Sequence, residues 1–289
     1  MFVRSISRTL PVSALTIDPL TLPRLRHEIE ICREHVEHDE RMTLLSAVPG
    51  LDFHERRLFA WIVANMLGQP VAQNWEGDRI AVVDARPDGV RTTDGARQHE
   101  IREGGTVLDN VSLPDPWEYL VFSCIRPAWI AGESILISAF TIHDALLAAP
   151  EVLEVLRAPF WWEYRSLSDG LFQAPIITYS HTGEPRFRYL RRYLESAHLR
   201  AGEPLTPEQH WALDTLDALI DQPQLQFRTT IREGEILMTY DSQVLHARTS
   251  FCDPVPDAPI AMNAANAAAT GPYRFFDRVW TTRRLSASQ

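Results

Sequence analysis

The chain has 289 residues, 45% of them hydrophobic and 23% charged, with 28 Lys+Arg against 38 Asp+Glu for a formal net charge of −10. That composition supports one large domain with a sizeable core and excludes global disorder. It argues against a general nucleic-acid binder, which needs a basic face to displace counterions, but leaves room for a locally basic pocket that takes a small anion.

No apolar run reaches the roughly 20 residues of a membrane helix. Three cysteines, Cys32, Cys124 and Cys252, with no CxxC pair, read as reduced thiols of a cytoplasmic protein. The first residues bear Arg and Ser and are free of acids until Asp18. That pattern weakly mimics a transit peptide and is better read as an irregular or strand-forming start. Residues 20–40 read as a helix with Leu25, Ile29 and Cys32 on one face. Residues 53–67 form a stronger helix, stopped by Gly68 and barred from continuing by Pro70. Residues 79–84 read as a strand, and the glycine-rich 85–105 as loop.

Strand signals then crowd together: 107–113 leading into 118–125, followed by 133–140. Residues 141–157 read as helical despite Pro150, 174–180 as a strand and 188–198 as a short helix. Residues 206–221 are a well-marked helix, with Thr206 at the N-cap, Pro207 in the first turn and Gln209 at the capping-box position. Strands follow at 225–231, 235–240 and 274–282. Strands in the middle and at the end, with helices before and between, predict an α+β domain, a β-sandwich or barrel flanked by helices.

Several chemistries find no support. No glycine-rich phosphate loop joins a strand to a helix, GESIL at 132–136 lacks the second glycine of a nucleophile elbow, and HExxH is absent. The run RFRYLRRY carries Arg186, Arg188, Arg191 and Arg192, and such runs are mostly solvated faces. The best local signal lies near the C-terminus. His246 stands beside Arg248, and Arg274 and Arg278 lie four apart, on one face of a strand. Arginine pairs are natural receivers of carboxylates.

The segments at 108–136, 185–198, 205–220 and 234–253, and RFFDRVW at 274–280, follow one another in an order that resembles the taurine dioxygenase and clavaminate synthase-like proteins. The resemblance covers roughly 55–285. It implies a double-stranded β-helix, or jelly roll, flanked by helices. It also implies a single domain over 1–289 with a largely helical insert at about 141–222. Fe(II) and the co-substrate 2-oxoglutarate are implied cofactors. In that family an H-x-D/E motif and a distal histidine hold the metal and leave positions open for co-substrate and oxygen.

Here Asp109 matches the acid and His246 the distal histidine. Arg274 matches the arginine that clamps the distal carboxylate of 2-oxoglutarate, and Arg278 a second arginine near it. Ser134 falls where a hydroxyl residue also holds the co-substrate. The resemblance places Asn110 and one arginine of the basic run, Arg188 or Arg191, with the substrate. The residue two before the acid is Val107, which cannot coordinate a metal. Three accounts stand open: Asp109 and His246 bind iron with water or a substrate donor, His99 or His143 replaces the missing ligand, or the chain is a pseudoenzyme.

The resulting expectation is a 2-oxoglutarate-dependent dioxygenase of a biosynthetic kind. It would hydroxylate, desaturate or cyclise a small polar, amino-acid-like metabolite. The alternatives are a non-catalytic ligand-binding protein on the same fold, or a metal-independent lyase or isomerase reusing the pocket. No nucleic-acid or membrane partner is expected. The sequence leaves open the substrate, the outcome and the oligomeric state.

Overall fold

The computed structural model describes residues 22–84, 109–114, 117–164, 167–253 and 273–283, with Asp109 and Asn110 described by their backbone. Helix α1 (Pro23–His38) takes proline in its first turn, where the missing N–H costs nothing. Helix α2 (Phe53–Leu67) starts at Asp52, which forms a full capping box with Glu55. Gly68 ends α2 in extended backbone rather than in the left-handed turn of a glycine stop. Its glycine is required by close packing, since a Cβ there would lie 2.4 Å from the Thr282 carbonyl oxygen.

Two antiparallel sheets follow. The larger has the order β1 (Met42–Leu45), β12 (Ile236–Tyr240), β4 (Tyr119–Arg126), β15 (Phe275–Thr282), with β2 (Gln69–Pro70) and β3 (Ala81–Asp84) both pairing with β15. The smaller has the order β11 (Phe227–Thr229), β6 (Ser134–Ser138), β13 (Val244–Arg248).

Strand alternation decides what each face meets. Tyr119 and Val121 of β4, Ile236 and Met238 of β12 and Val279 of β15 pack under α1 and α2. Phe122, Cys124, Leu237 and Phe276 point the other way and meet Leu136 and Val244 of the smaller sheet. Ile135, Ile137 and Leu245, on the far face of that sheet, are covered by the segment that follows β6. The result is helices, sheet, sheet and insert in layers, and both central strands are buried on both faces.

The insert differs from expectation in two ways. The helical stretch at 141–157 is two helices, α3 (Ala139–Leu146) and α4 (Pro150–Leu156), because Pro150 starts a new helix and cannot continue one. The segment is also mixed rather than largely helical. The pairs β7 (Pro159–Glu163) with β8 (Leu171–Pro175), and β9 (Ile177–Tyr179) with β10 (Pro185–Phe187), precede α5 (Arg191–Ala201) and α6 (Pro207–Ile220). The capping box of α6, Thr206 with Gln209, forms as the sequence indicates. Among the described residues no helix is long and apolar enough to cross a membrane. All three cysteines are free.

One buried ion pair ties α2 to the sheet. Arg57 donates from Nε and Nη2 to Oδ2 and Oδ1 of Asp277 at 2.7 and 3.0 Å, and Asp277 is 1% exposed. Burial pushes the Asp277 carboxyl up from its ordinary range, and Arg57 opposes that shift. Removing Arg57 leaves a buried charge uncompensated. Arg57→Ala is therefore expected to lose about 3–5 kcal/mol of unfolding free energy in urea titration near neutral pH. The loss should shrink as the pH falls and the raised Asp277 carboxyl takes up a proton, because the penalty belongs to the ionised form.

Candidate functional site

Register places the polar side chains of the core. His246 in β13 sits opposite Leu136 of β6, so it shares the face that looks into the space between the sheets. Arg248, two residues on, shares that face and lies opposite Ser134, which is buried. From the facing sheet, Arg274 enters just before β15 on the side of Phe276. Its guanidinium carbon lies 4.0 Å from the Phe276 ring centre, 5.7 Å from that of Phe251 and 5.9 Å from that of Phe122. The Arg248 guanidinium lies 4.1 Å from the same Phe251 ring. Phe251 belongs to β14 (Phe251–Cys252), which pairs with β5 (Ile130–Ala131).

Two guanidiniums thus share one apolar wall. Arg274 is 5% exposed. Burial first and the charge of Arg248 second hold its pKa down to about 9, while Cys124 and Asp253 oppose. Burial likewise holds Arg248 down to about 10, against Asp253. Among the described residues no carboxylate forms an ion pair with either. The Asp253 carboxylate is used on main chain: Oδ2 accepts from the Arg274 N–H at 2.9 Å and Oδ1 from the Trp129 N–H at 3.3 Å. A buried guanidinium beside a half-buried one suits an anion, because a carboxylate restores the solvation that burial removed. These residues fit 2-oxoglutarate: Arg274 and Arg248 would hold its distal carboxylate, with the Ser134 hydroxyl alongside.

The metal end is assembled differently from the expected strand. Asp109–Ser112 is a 3-10 turn. Asp, Asn and Ser in close succession compete with ladder hydrogen bonds, and Pro114 supplies no N–H to one. The turn packs against β7 and against a second 3-10 turn, Asp241–Gln243, which leads directly into the strand of His246. The acid-bearing segment, with Asn110, therefore lies beside the approach to β13. Among the described residues no group of three metal-ligating side chains occurs. Val107 and His99 lie outside the described residues. His143 is turned onto the insert, where its Nε2 hydrogen-bonds the Tyr179 hydroxyl at 2.9 Å and its ring stands edge-on to that tyrosine.

Arg278 shares the inner face with Arg274 but lies about 13 Å further along the strand. Its Nε donates to Gln73 Oε1 at 2.9 Å and its guanidinium covers Trp280. The arginine beside Arg274 is therefore Arg248. The signal for it was present, since residues two apart on a strand share a face, but the contact with Arg274 crosses between sheets.

The basic run is not one surface. Arg191 is committed to Glu195, Asp214 and Asp217, which clamps α5 to α6, and this runs against a role in holding a substrate carboxylate. Arg186 donates to the Tyr240 hydroxyl at 3.1 Å, and Arg192 covers Tyr193. Arg188 is buried and donates to the carbonyls of Leu113 and Pro114.

Comparison with known proteins shows the family and the fold. The family model described as "Taurine catabolism dioxygenase TauD, TfdA family" matches residues 26–259. The chain is 27% identical over 233 residues to FR-33289 synthase of Streptomyces rubellomurinus (strain ATCC 31215), covering 77% of this chain and 66% of that protein. It is 25% identical over 189 residues to dioxygenase str8 of Strobilurus tenacellus, covering 63% of this chain and 43% of that protein. The chain thus spans just under two thirds of the first relative's length and less than half of the second's. Among solved structures, an asparagine oxygenase in complex with Fe(II), 3-hydroxyasparagine and succinate superimposes with a TM-score of 0.61 at 17% identity, covering 90% of this chain and 79% of that one. The non-heme iron oxygenase OrfP with Fe and alpha-ketoglutaric acid does so with a TM-score of 0.61 at 15% identity, covering 93% and 86%. Those likenesses show the fold, the jelly roll expected from the sequence.

Proposed function

This chain belongs to the taurine catabolism dioxygenase TauD, TfdA family, and from that premise we propose that it is an Fe(II)- and 2-oxoglutarate-dependent oxygenase of a small, polar, amino-acid-like metabolite. The observation that carries the reading is the buried Arg274 beside the half-buried Arg248, with no carboxylate in an ion pair with either among the described residues, on the inner walls that also present His246.

When bound, Fe(II) with 2-oxoglutarate supplies the oxygen-activating chemistry. This chain's residues do the positioning. The His246 imidazole and the Asp109 carboxylate are the proposed metal ligands. Arg274, with Arg248 and Ser134, would fix the distal end of the co-substrate and so orient its other end toward His246. The aromatic wall of Phe122, Phe251 and Phe276 excludes water and strengthens that charge pairing. Asn110, in the acid-bearing turn, is the proposed substrate contact nearest the metal. We read the whole chain as one domain with the insert as its outer layer, and place it in the cytoplasm on its three unpaired cysteines.

The hydroxyasparagine bound to the asparagine oxygenase and the L-Arg bound to OrfP support an amino-acid-like substrate here. In the test, the Fe(II)-loaded chain is supplied with 2-oxoglutarate, oxygen and a panel of free amino acids, asparagine and arginine among them. Succinate formation and product mass are then followed. The expected result is metal-dependent succinate formation stimulated by a subset of the panel. A chain that binds 2-oxoglutarate yet forms no succinate under any of these conditions is the non-catalytic binding protein that Val107 favours.

A further inference from the structure

Arg188 follows β10 and is 7% exposed. Its Nη1 donates to the Leu113 carbonyl, and its Nη2 donates to the Pro114 carbonyl at 3.1 Å. Its guanidinium carbon lies 5.3 Å from the Phe172 ring centre and 5.9 Å from that of Trp162. Those two rings belong to directly paired residues of β7 and β8. The Trp162 indole is itself held, donating to the Ala174 carbonyl at 2.9 Å, and the Arg188 main-chain N–H donates to the Ile176 carbonyl at 2.8 Å. The arginine is thus fixed at both ends by the insert, and its fork grips two consecutive carbonyls of another segment.

That segment is the one that leaves the Asp109–Ser112 turn. A four-residue 3-10 turn has little cooperative stability of its own, and its position depends on what its ends are tied to. Val111 is buried in the insert core and the turn rests on β7, the strand that also carries Trp162. We propose that Arg188 is a positioning residue for the metal site: from the insert, it sets where the Asp109 turn presents its carboxylate. The inference rests on the oxygenase reading above and takes Arg188 out of substrate binding. It also gives the insert a task in assembling the site.

The fork geometry makes a graded prediction. Lysine keeps the charge and reaches one carbonyl, whereas methionine keeps the stem and reaches neither. Groups that orient metal ligands typically change metal affinity by roughly 10- to 100-fold.

The test compares the natural chain with Arg188→Lys and Arg188→Met in three measurements: anaerobic Fe(II) titration by calorimetry, 2-oxoglutarate binding to the metal-free proteins, and amide hydrogen exchange of residues 109–114. Fe(II) affinity should fall by about 10- to 100-fold in Arg188→Met and by less in Arg188→Lys. Affinity for 2-oxoglutarate should be unchanged, and faster exchange should be confined to 109–114. A general loss of structure would move all three measurements together. Should Arg188→Met fail to fold, Arg188→Lys carries the comparison. Natural Fe(II) affinity in the variants overturns the proposal. If the natural chain takes up no Fe(II), the oxygenase reading falls instead. The exchange measurement still decides the anchoring role, and unchanged exchange at 109–114 overturns it.

Discussion

Arg274→Ala is expected to remove 2-oxoglutarate binding, with a loss of about 2–5 kcal/mol, or roughly 30- to 5,000-fold in Kd by calorimetry. The size follows from burial. The guanidinium lies among Phe122, Phe251 and Phe276, where a charge-assisted pair is only weakly screened. Arg274→Lys should recover only part of the loss, since a point charge cannot present two parallel donors. In the natural protein 2-oxoglutarate should raise Tm, because its carboxylate neutralises a cation pair that burial disfavours.

Arg248→Ala should weaken 2-oxoglutarate less than Arg274→Ala, since Arg248 is the more exposed of the two. If Arg274→Ala binds 2-oxoglutarate as the natural chain does, the receptor has been assigned to the wrong pair.

Val107→His is expected to raise Fe(II) affinity by about tenfold or more, roughly 1.4 kcal/mol or more. Residue 107 stands two before Asp109, where the family's motif has histidine and this chain has valine. An added imidazole would complete two nitrogens and one carboxylate around the metal. Anaerobic titration of both proteins checks the affinity, and succinate formation checks the consequence. Tight stoichiometric binding by the natural chain, with no gain from histidine, would mean that another residue already completes the site. His99 is then the first to replace with alanine, since His143 is held on Tyr179. No metal binding by either protein would give the lead to the non-catalytic reading.

The parts of this fold that the sequence determines by itself are those set by neighbours in the chain. Asp52 with Glu55 and Thr206 with Gln209 cap their helices through residues three apart, so the two helix starts are legible without any tertiary contact. The inward direction of His246 and Arg248, and of Arg274 and Arg278, follows from strand alternation. The jelly roll was legible in the order of the motifs.

What only the tertiary structure decides are contacts made between segments far apart in the chain. Arg248 became the neighbour of Arg274 because two sheets face each other across Phe251, a relation that alternation within either strand does not contain. Arg188 and Arg191 look alike in RYLRR, yet one is buried against β7 and β8 with its fork on Leu113 and Pro114, and the other clamps three carboxylates at the surface. Their difference comes from which layer each faces, and that is fixed by how the insert packs. Asp109 likewise left the predicted strand for a 3-10 turn because its polar neighbours favour turning and the insert offers Arg188 and β7 to hold that turn, whereas a ladder partner would have had to come from a sheet edge.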